Sequence, residues 1–332
     1  MRRMRLRYRV LIVFGILLAV FLVQLLPWGG GKLKVMAVYH TSIEEPWVAC
    51  IHQALLKAER ALEIDYGYDE KVASQDYDRV LYGAATGGYD VVFGDAFDNE
   101  QTVRDIASDY HEVYFVFGSA LGPAEPNLAV FDDWIHEPAY LCGMIAGKLT
   151  QTGIVGAVGG YPVPEVNRLI NAYRLGVKEV NPQAQVKVAF IDDWYDPQKA
   201  RAAALALIDE GADLIYAERD GAIEAASERG VLAFGNLVDQ NSVAPDTVVT
   251  GPVWDLWPTV NHVLTAIKEG DFQAIDYREW SMMAKGGAYL APYHGFDQKL
   301  PAEVKDMVSQ RQDEILTGRF VVPVDESTPQ SD

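Results

Sequence analysis

The chain has 332 residues and a formal net charge of −19, and this charge is unevenly distributed. Residues 1–32 contain five arginines, Lys32 and no acidic residue, so residues 33–332 carry 22 basic against 47 acidic side chains. Because residues 33–332 are this acidic, they repel phosphate backbones, which argues against nucleic acid as a partner. The length is sufficient for two lobes, each with its own core.

The N-terminal segment predicts a membrane anchor. Residues 10–28 are apolar apart from Gly15 and Gln24, which is just long enough to cross a hydrocarbon core of about 30 Å. The preceding arginines would stay in the cytoplasm, which places the chain after Lys32 on the extracytoplasmic side. A cleaved secretion signal is the alternative, although the bulky residues 25–28 offer no clear cleavage site. No cysteine lies near this segment, so lipid attachment there is excluded.

The first half of the chain is predicted to alternate strands and helices. Apolar runs predict strands at residues 35–39, 64–68, 90–93, 113–117 and 128–131. Helical periodicity predicts helices at residues 47–63, through Tyr77 and Ala84, at 99–110, and from a first turn containing Pro138 to residue 149. Ser74 is a candidate N-cap of the second helix because its hydroxyl could accept a backbone N–H.

The second half repeats this pattern. Strands are predicted at residues 154–158, 186–191, 213–217 and 231–234, near Val248, and at 286–290. Helices are predicted at residues 166–180, from Pro197 to about Gly211, at 257–268 and at 301–317. The helix at 257–268 is expected to pack back on the first lobe. The polar tail, residues 324–332, is expected to fray.

This alternation predicts an α/β fold of two doubly wound parallel-sheet lobes joined by a hinge. Lobe 1 is predicted to contain residues 33–152 and about 249–275, and lobe 2 residues 153–248 and about 276–322. Residues 1–32 form the basic tip and membrane segment, and residues 323–332 the tail. Ligands bind outside the carboxyl ends of such strands, which directs attention to residues 161–165, 192–196 and 218–220.

Neither a metal site nor a catalytic centre is indicated. The six histidines lack metal-ligand spacing, the glycines at 153–160 lack the Lys-Ser/Thr of a phosphate loop, and there is no G-x-S-x-G motif. We therefore expect no cofactor, no metal and no enzymatic activity. Cys50 and Cys142 both lie on apolar sides of predicted helices, and one disulfide or two buried free thiols are the open alternatives.

Aromatic and polar side chains follow the predicted strands at the ends that would face the cleft. The aromatic ligand candidates are Trp47, Phe97, Trp194 and Trp254. The polar candidates for the edge of a ring are Glu45, Glu165, Asp220, Asn236 and Asp239. Ordinary core packing is the alternative role for each tryptophan. For the acids the alternative is a charge at a helix N-terminus, and it applies best to Glu165 and to Asp196 before Pro197. A flat aromatic surface suits a planar heterocycle, and stacking contributes about 1–3 kcal/mol per base.

Several segments together resemble the basic membrane protein family of substrate-binding proteins, which includes purine-nucleoside receptors of ABC importers. The resemblance covers roughly residues 33–320. It rests on Pro46-Trp47 followed by His52, and on the segments at residues 89–94, 139–147, 162–166, 180–182, 194–197 and 211–213. The resemblance implies a type I periplasmic-binding-protein fold that closes on a ligand between its lobes.

The chain departs from the nucleoside-binding pattern at two places. The segment at residues 235–240, Gly-Asn-Leu-Val-Asp-Gln, keeps the final Asp-Gln of the G-V-D-x-D-Q motif but has Leu237 in place of its first Asp, and Trp254 stands where a lysine is expected. Loss of a ribose-type acceptor and gain of an indole favour a purine base over a nucleoside. The missing lipid-attachment cysteine is a further departure, which the membrane segment would offset.

We therefore predict an extracytoplasmic solute-binding protein of an ABC importer. It would bind a purine base or a related ring, with Trp47, Phe97, Trp194 and Trp254 around the ring and Glu165, Asp220 and Asn236 at its edge. The expected partners are this ligand, ABC permease subunits and the membrane, and a monomer is expected. The alternatives are a membrane-tethered sensory domain and a nucleoside receptor.

Overall fold

A computed structural model describes residues 31–97, 99–119 and 121–332. The predicted membrane segment and its arginine cluster lie outside these residues. Within the described part of the chain, no helix is both long and apolar enough to cross a membrane.

The first five strands form one parallel sheet in the order β2-β1-β3-β4-β5. The strands are β1 (Lys34–Val38), β2 (Asp65–Asp69), β3 (Val91–Asp95), β4 (Tyr114–Gly118) and β5 (Leu128–Phe131). The connecting helices are α1 (Pro46–Ala61), α2 (Ser74–Thr86) and α3 (Glu100–Asp109). Strands β3, β4 and β5 are almost entirely buried, as expected for a parallel sheet covered on both faces.

The second parallel sheet has the same topology, with the order β10-β9-β8-β6-β7. The strands are β6 (Ile154–Gly159), β7 (Gln185–Phe190), β8 (Leu214–Ala217), β9 (Leu232–Phe234) and β10 (Val248–Thr250). The helices are α4 (His136–Leu149), α5 (Pro164–Val180), α6 (Pro197–Asp209) and α7 (Ala222–Arg229). Helix α7 is not among the predicted helices, although two glycines in the left-handed conformation, Gly221 and Gly230, flank it. The predicted two-lobe α/β fold is confirmed, and the predicted strand ends differ from the observed ones by at most two residues.

The last part of the chain crosses between the two sheets. It contains a short antiparallel pair, β11 (Pro252–Trp254) and β12 (Ala288–Leu290), and the helices α8 (Trp257–Glu269) and α9 (Ala302–Leu316). Helix α8 packs on α1, where the ammonium of Lys57 lies 4.6 Å from the Trp257 ring centroid. Tyr277 N–H then donates to Val130 O of β5 at 2.8 Å. The exact division of the chain into lobes stays a prediction.

Helix α4, which the predicted division puts in lobe 1, packs closely along α5 of the second sheet. Glycines permit this approach, because a Cβ atom on Gly143 would lie 1.9 Å from Tyr173 O. A Cβ on Gly176 would likewise lie 2.1 Å from Tyr140 O. Side chains larger than hydrogen at these positions would force the two helices apart.

Two local predictions are wrong. Ser74 is the first residue of α2, Ala73 occupies the N-cap, and no side chain of the described residues caps this helix. The C-terminal tail is not frayed. Its backbone carbonyls accept hydrogen bonds from α5 side chains, including Asn167 to Glu326 O at 3.0 Å and Asn171 to Ser327 O at 2.7 Å.

The tail also occupies the open edge of β7. Asp332 N–H donates to Val186 O at 3.1 Å, and the Asp332 carboxylate accepts from Val186 N–H at 2.9 Å. An edge strand offers unpaired backbone groups, and these contacts satisfy them. The polar composition of the tail therefore reflects contacts with α5 and β7, which lie about 150 residues earlier in the chain.

Candidate ligand-binding cleft

A cleft lies at the carboxyl ends of both sheets and encloses about 690 Å³ of space, its open mouth included. This size is within the usual range for small-molecule sites. Side chains from both sheets line it: His40, Thr41, Glu45, Trp47, Asp95, Phe97, Glu165, Trp194, Tyr195 and Arg219. A smaller adjoining cavity is shared by Glu45, Trp194 and Arg219 with residues that include Asp220 and Asn236. The structure thus brings six of the seven predicted ligand contacts to the cleft or its neighbour.

The wall formed by the first sheet is aromatic and tightly packed. Trp47, in the first turn of α1, is only 9% exposed. Its ring lies 6.1 Å from Phe131 in a stacked arrangement and meets Phe97 edge-on at 6.0 Å. Gly118, at the end of β4, leaves room for the indole, because a Cβ there would lie 2.1 Å from Trp47 Cη2. The sequence therefore fixes the Trp47 ring by surrounding it with core aromatics.

Trp254 belongs to this packing and not to the lining of the cleft. It is 3% exposed and lies behind Trp47, with ring centroids 5.5 Å apart. Its indole N–H donates to Ser281 Oγ at 3.2 Å, so its polar group already has a buried partner. Trp254 therefore has the core-packing role that was the alternative for each tryptophan. Its position does not fit the predicted role of stacking on a ligand ring.

His40 stands beside this aromatic wall and was missed by the sequence analysis. Its ring stacks on Tyr77 at 4.0 Å. Asn99 Nδ2 donates to His40 Nε2 at 2.9 Å, which leaves Nδ1–H to donate to Val72 O at 3.1 Å. The imidazole is thus held in one tautomer and one orientation.

The wall formed by the second sheet is more exposed and more polar. Trp194 follows β7 in a loop and is 36% exposed, with Tyr161 at 4.9 Å. The guanidinium of Arg219 lies 5.1 Å from the Trp194 ring centroid and donates to Trp194 O at 3.3 Å. A cation over an indole face is a favourable contact. Arg219 therefore stabilises the Trp194 loop through contacts with both the ring and the backbone of Trp194.

Arg219 is the main functional candidate that the sequence analysis missed. It follows β8 and forms a two-point ion pair with Glu218, with Nε to Oε2 at 2.9 Å and Nη2 to Oε1 at 2.5 Å. Gly160 N–H also donates to Glu218 at 2.9 Å. The sequence directed attention to residues 218–220, but it named only the acid Asp220 because a single arginine carries no spacing signal.

Glu165 is a buried acid that lines the cleft. It lies in the first turn of α5 and is 7% exposed. Burial, followed by the charge of Asp132, raises the pKa of Glu165 to about 7, while Arg219 and Arg168 act in the opposite direction. A buried titratable group with specific charged neighbours in a cleft is typical of a functional site.

The other predicted polar contacts already have partners. Asn236 accepts from Tyr216 Oη–H at 2.7 Å, and its Nδ2 donates to Glu218 O at 3.4 Å. Asp220 accepts from Gln240 Nε2 at 2.9 Å. Glu45 caps α1 by accepting from the backbone N–H groups of Trp47 and Val48.

Asp196 caps α6 in the same way, by accepting from the N–H groups of Gln198 and Lys199, which is the helix-end role anticipated for it. Asp239 contacts His294 Nε2 at 2.6 Å. Both cysteines are buried and unbonded. Among the described residues, no group of three or more His, Cys, Asp or Glu side chains could hold a metal ion.

The geometry of the cleft agrees with comparisons to known proteins. Residues 32–278 match the family described as ABC transporter substrate-binding protein PnrA-like, or Bmp. The chain belongs to this family. The family description is that of a substrate-binding component of a transporter and not of an enzyme. The resemblance inferred from the sequence is thereby confirmed.

Two curated relatives illustrate the range of names within the Bmp family. A putative ABC transporter glucose-binding protein of Haloferax volcanii is 35% identical over 77% of this chain, and the match covers 64% of that protein. The chain thus spans slightly less than two thirds of that relative's length. A purine-binding protein of Brucella abortus is 31% identical over 87% of this chain and 82% of its own length.

Solved structures extend the comparison to the fold. A solute-binding protein of an ABC transporter system from Conexibacter woesei has a TM-score of 0.72 at 24% identity and covers 88% of this chain and 99% of its own. A transcriptional activator of the comK gene from Bacillus halodurans has a TM-score of 0.74 at 22% identity, covering 87% and 99%. At these identities the two structures support the two-lobed fold of this chain and establish nothing about its ligand.

Proposed function

We propose that the protein binds a small planar heterocycle, a purine base in the first instance, between its two lobes and delivers it to an ABC permease. The observation that carries this proposal is that Trp47 and Trp194 line the same cleft from opposite sheets. Two indoles on opposite walls provide a slot for a flat ring, and each stacking contact contributes about 1–3 kcal/mol. The name of the Brucella relative, a purine-binding protein, supports the same class of ligand.

Polar groups between the two tryptophans would read the edge of the ring. Glu165 lines the cleft from the second sheet and Asp95 from the first, next to Phe97. Arg219 lies at the base of the Trp194 loop but already forms an ion pair with Glu218. Apart from Arg219, the charged side chains that line the cleft are the acids Glu45, Asp95 and Glu165, which favours a ring with N–H groups and disfavours phosphorylated ligands.

A sugar is another candidate ligand, because the Haloferax relative is named a putative glucose-binding protein. Tryptophan rings also pack on the faces of sugars. A hexose, however, presents hydroxyl groups around its entire edge, whereas Phe97 and Trp47 make one wall of this cleft apolar. We therefore rank a purine base as the first candidate ligand, a nucleoside as the second and a sugar as the third.

The same proposal assigns partners and location. The binding lobes would lie on the extracytoplasmic side, held there by the apolar N-terminal segment, and act as a monomer that docks on a permease. A membrane-tethered sensor with the same ligand is the alternative, and a purine-dependent transcriptional response without uptake would favour it.

Calorimetry against a ligand panel tests the proposal. Purified protein is titrated with adenine, guanine, adenosine and glucose, and small molecules that co-purify with protein prepared without added ligand are identified by mass spectrometry. We expect the free bases to bind most tightly, adenosine more weakly and glucose not measurably. Binding of glucose in preference to every purine, or of none of the four, would overturn the proposed ligand class.

A further inference from the structure

A buried, acid-rich cluster lies beside the cleft, where the chain crosses from β5 to α4. Its four acids are Asp132, Asp133, Glu165 and Glu218, each at most 7% exposed. Arg168 and Arg219 supply the only guanidinium groups that pair with these acids among the described residues. Four buried carboxylates against two cations would be costly in a low-dielectric interior, so the cluster favours retention of a proton.

The two arginines do not pair with all four acids. Arg168 Nη2 donates to Asp132 Oδ2 at 2.5 Å and to Asp133 Oδ1 at 3.1 Å. Arg219 is engaged by Glu218. Within the described residues Glu165 has no ion pair, although it faces the cleft. Glu165 is therefore the acid whose hydrogen-bonding partner has to come from elsewhere in the cluster or from a ligand.

The carboxyl group of Asp133 supplies that partner. Asp133 is fully buried, and its Oδ2 atom receives no N–H or O–H donor from the described residues. The carboxyl of Glu165 lies within hydrogen-bonding reach of the Asp133 carboxyl. Because Arg168 already holds Oδ1, Oδ2 is the oxygen left for this contact. Two carboxyl oxygens in contact form a hydrogen bond only when one of them carries a proton. The contact between Asp133 and Glu165 therefore implies a shared proton.

The charged and titratable surroundings of this pair come from several elements. They are Asp132 beside Asp133, His136 on α4, Arg168 on α5, Cys50 on α1, Tyr216 on β8, Glu218 and Arg219 after β8, Asp276 and Arg278 in the segment between α8 and β12, and Glu326 of the tail. Asp132 and Glu218 favour the protonated pair, whereas Arg168 and Arg219 favour ionisation.

We propose that Asp133 is a positioning residue for Glu165: its carboxyl keeps the proton, donates it in a hydrogen bond to Glu165, and holds the Glu165 carboxylate ready to accept an N–H group from the edge of the ligand. The proposal rests on the proposed function for the identity of the ligand. No covalent bond changes, and the proton remains on Asp133 when the ligand binds.

The pH dependence of binding follows from this arrangement. Burial and neighbouring acids raise the pKa of Asp133 well above its ordinary value, and that of Glu165 to about 7. Below this pH Glu165 itself becomes protonated and loses its role as an acceptor. The affinity for adenine is therefore expected to fall about tenfold between about pH 8 and about pH 6, since a group with a pKa of about 7 is roughly one-tenth ionised one unit below it.

Asp133→Asn is the decisive variant. Arg168 holds the oxygen on one side of the group, so the amide nitrogen of asparagine would take the place of Oδ2 and donate to Glu165 as the protonated acid does. We expect the affinity for adenine to stay within about threefold of that of the parent protein. The pH midpoint of the fall in affinity should stay within about 0.3 pH units, since a neutral amide replaces a neutral carboxylic acid. A midpoint lowered by about one unit or more would mean that Asp133 is normally charged, and would overturn the proposal.

Two further variants keep this test independent of folding. Asp133→Ala removes the donor, so the affinity at about pH 8 should fall about tenfold or more, the usual effect of losing a hydrogen bond to a charged group, and the midpoint should rise. Glu165→Gln should abolish the pH dependence. If the affinity of Glu165→Gln still fell at low pH as that of the parent does, or if Asp133→Ala bound adenine as the parent does, the positioning role of Asp133 would be contradicted.

A measurement without ligand separates this proposal from the proposed function. The side-chain carboxyl resonance of Glu165 is titrated by NMR in the unliganded protein and in Asp133→Asn, and equal midpoints are expected. If no purine binds, the proposed function fails, whereas this titration still decides whether Asp133 keeps its proton. A lower midpoint in Asp133→Asn would overturn the shared proton in that case too.

Discussion

The two walls of the cleft use the same residue type in opposite ways. On the first sheet, Trp47 is 9% exposed and is surrounded by Phe97, Phe131 and Trp254. On the second sheet, Trp194 is 36% exposed, stands on a loop, and is supported by Tyr161 and the guanidinium of Arg219. One tryptophan is part of the core, and the other is a surface side chain that ligand binding would cover.

This difference separates stability from binding. A wall formed by core packing is in place before the ligand arrives and costs little to organise on binding. A wall held by a loop and by ion pairs can adjust when the lobes close. We therefore expect substitutions in the aromatic packing of the first wall to change both folding and binding, and substitution of the exposed Trp194 on the second wall to change binding alone.

The largest expected effect comes from Trp47→Ala. Removing a core indole should lower the free energy of unfolding by about 3–5 kcal/mol and abolish measurable ligand binding. Chemical denaturation and calorimetry measure the two quantities. Trp47→Phe, which keeps an aromatic ring, should recover most of the stability. A loss below about 1 kcal/mol in Trp47→Ala would show that the first wall is not part of the core.

The second effect is a pH dependence of stability that comes from Glu165, on the wall formed by the second sheet. Because the folded protein raises the pKa of Glu165 from 4.5 to about 7, the folded state binds more protons than the unfolded state between these values. The stability contributed by this group is therefore present below about pH 4.5 and lost as the pH rises toward about 7, by at most roughly 3 kcal/mol.

Glu165→Gln removes this titration. Denaturation of both proteins between about pH 4.5 and about pH 7.5 should show the parent losing stability relative to the variant as the pH rises. Glu45→Gln is the control, because that acid lines the same cleft but only caps a helix. Parallel pH curves for the parent protein and Glu165→Gln would disprove the buried titration.

Most of the fold could be predicted from the sequence, because βα alternation is a local pattern. The apolar runs, the prolines that open α5, α6 and α8 and the glycines that end several helices define the elements without knowledge of the fold. The docked tail could not be predicted this way. Its polar residues resemble a solvated end, and their partners, such as Asn171 and Val186, are distant in the sequence.

The sequence predicts in outline which side chains lie near the cleft, and the differences from the observed positions have a physical cause. Position at a strand end predicts that a side chain lies near the cleft, but not whether a neighbour already occupies its polar group. Trp254 and Asn236 are both near the cleft, yet Ser281 and Tyr216 satisfy them. Arg219 and Asp133 carry no motif, and their importance arises from burial beside other charges.

Gly118→Ala tests the rigidity of the first wall without removing an aromatic side chain. The added methyl would lie 2.1 Å from Trp47 Cη2, and core aromatics on its other sides leave the indole little room to move. We expect a loss of about 1–3 kcal/mol in the free energy of unfolding together with weaker binding. Gly122→Ala is the matched control, because nothing lies within 4 Å of its added Cβ. Equal stability of the two variants would contradict the crowded wall.

The smallest change in stability is expected for Trp194→Ala. This side chain is partly exposed and its contacts are with Tyr161 and Arg219, so the free energy of unfolding should change by less than about 1 kcal/mol. Binding of adenine should nevertheless weaken by about 1–3 kcal/mol, the contribution of one stacking contact. Trp280→Ala is the control, since that tryptophan stacks on His262 outside the cleft. If Trp194→Ala destabilised the fold as strongly as Trp47→Ala, or left binding unchanged, the division between a core wall and a binding wall would fail.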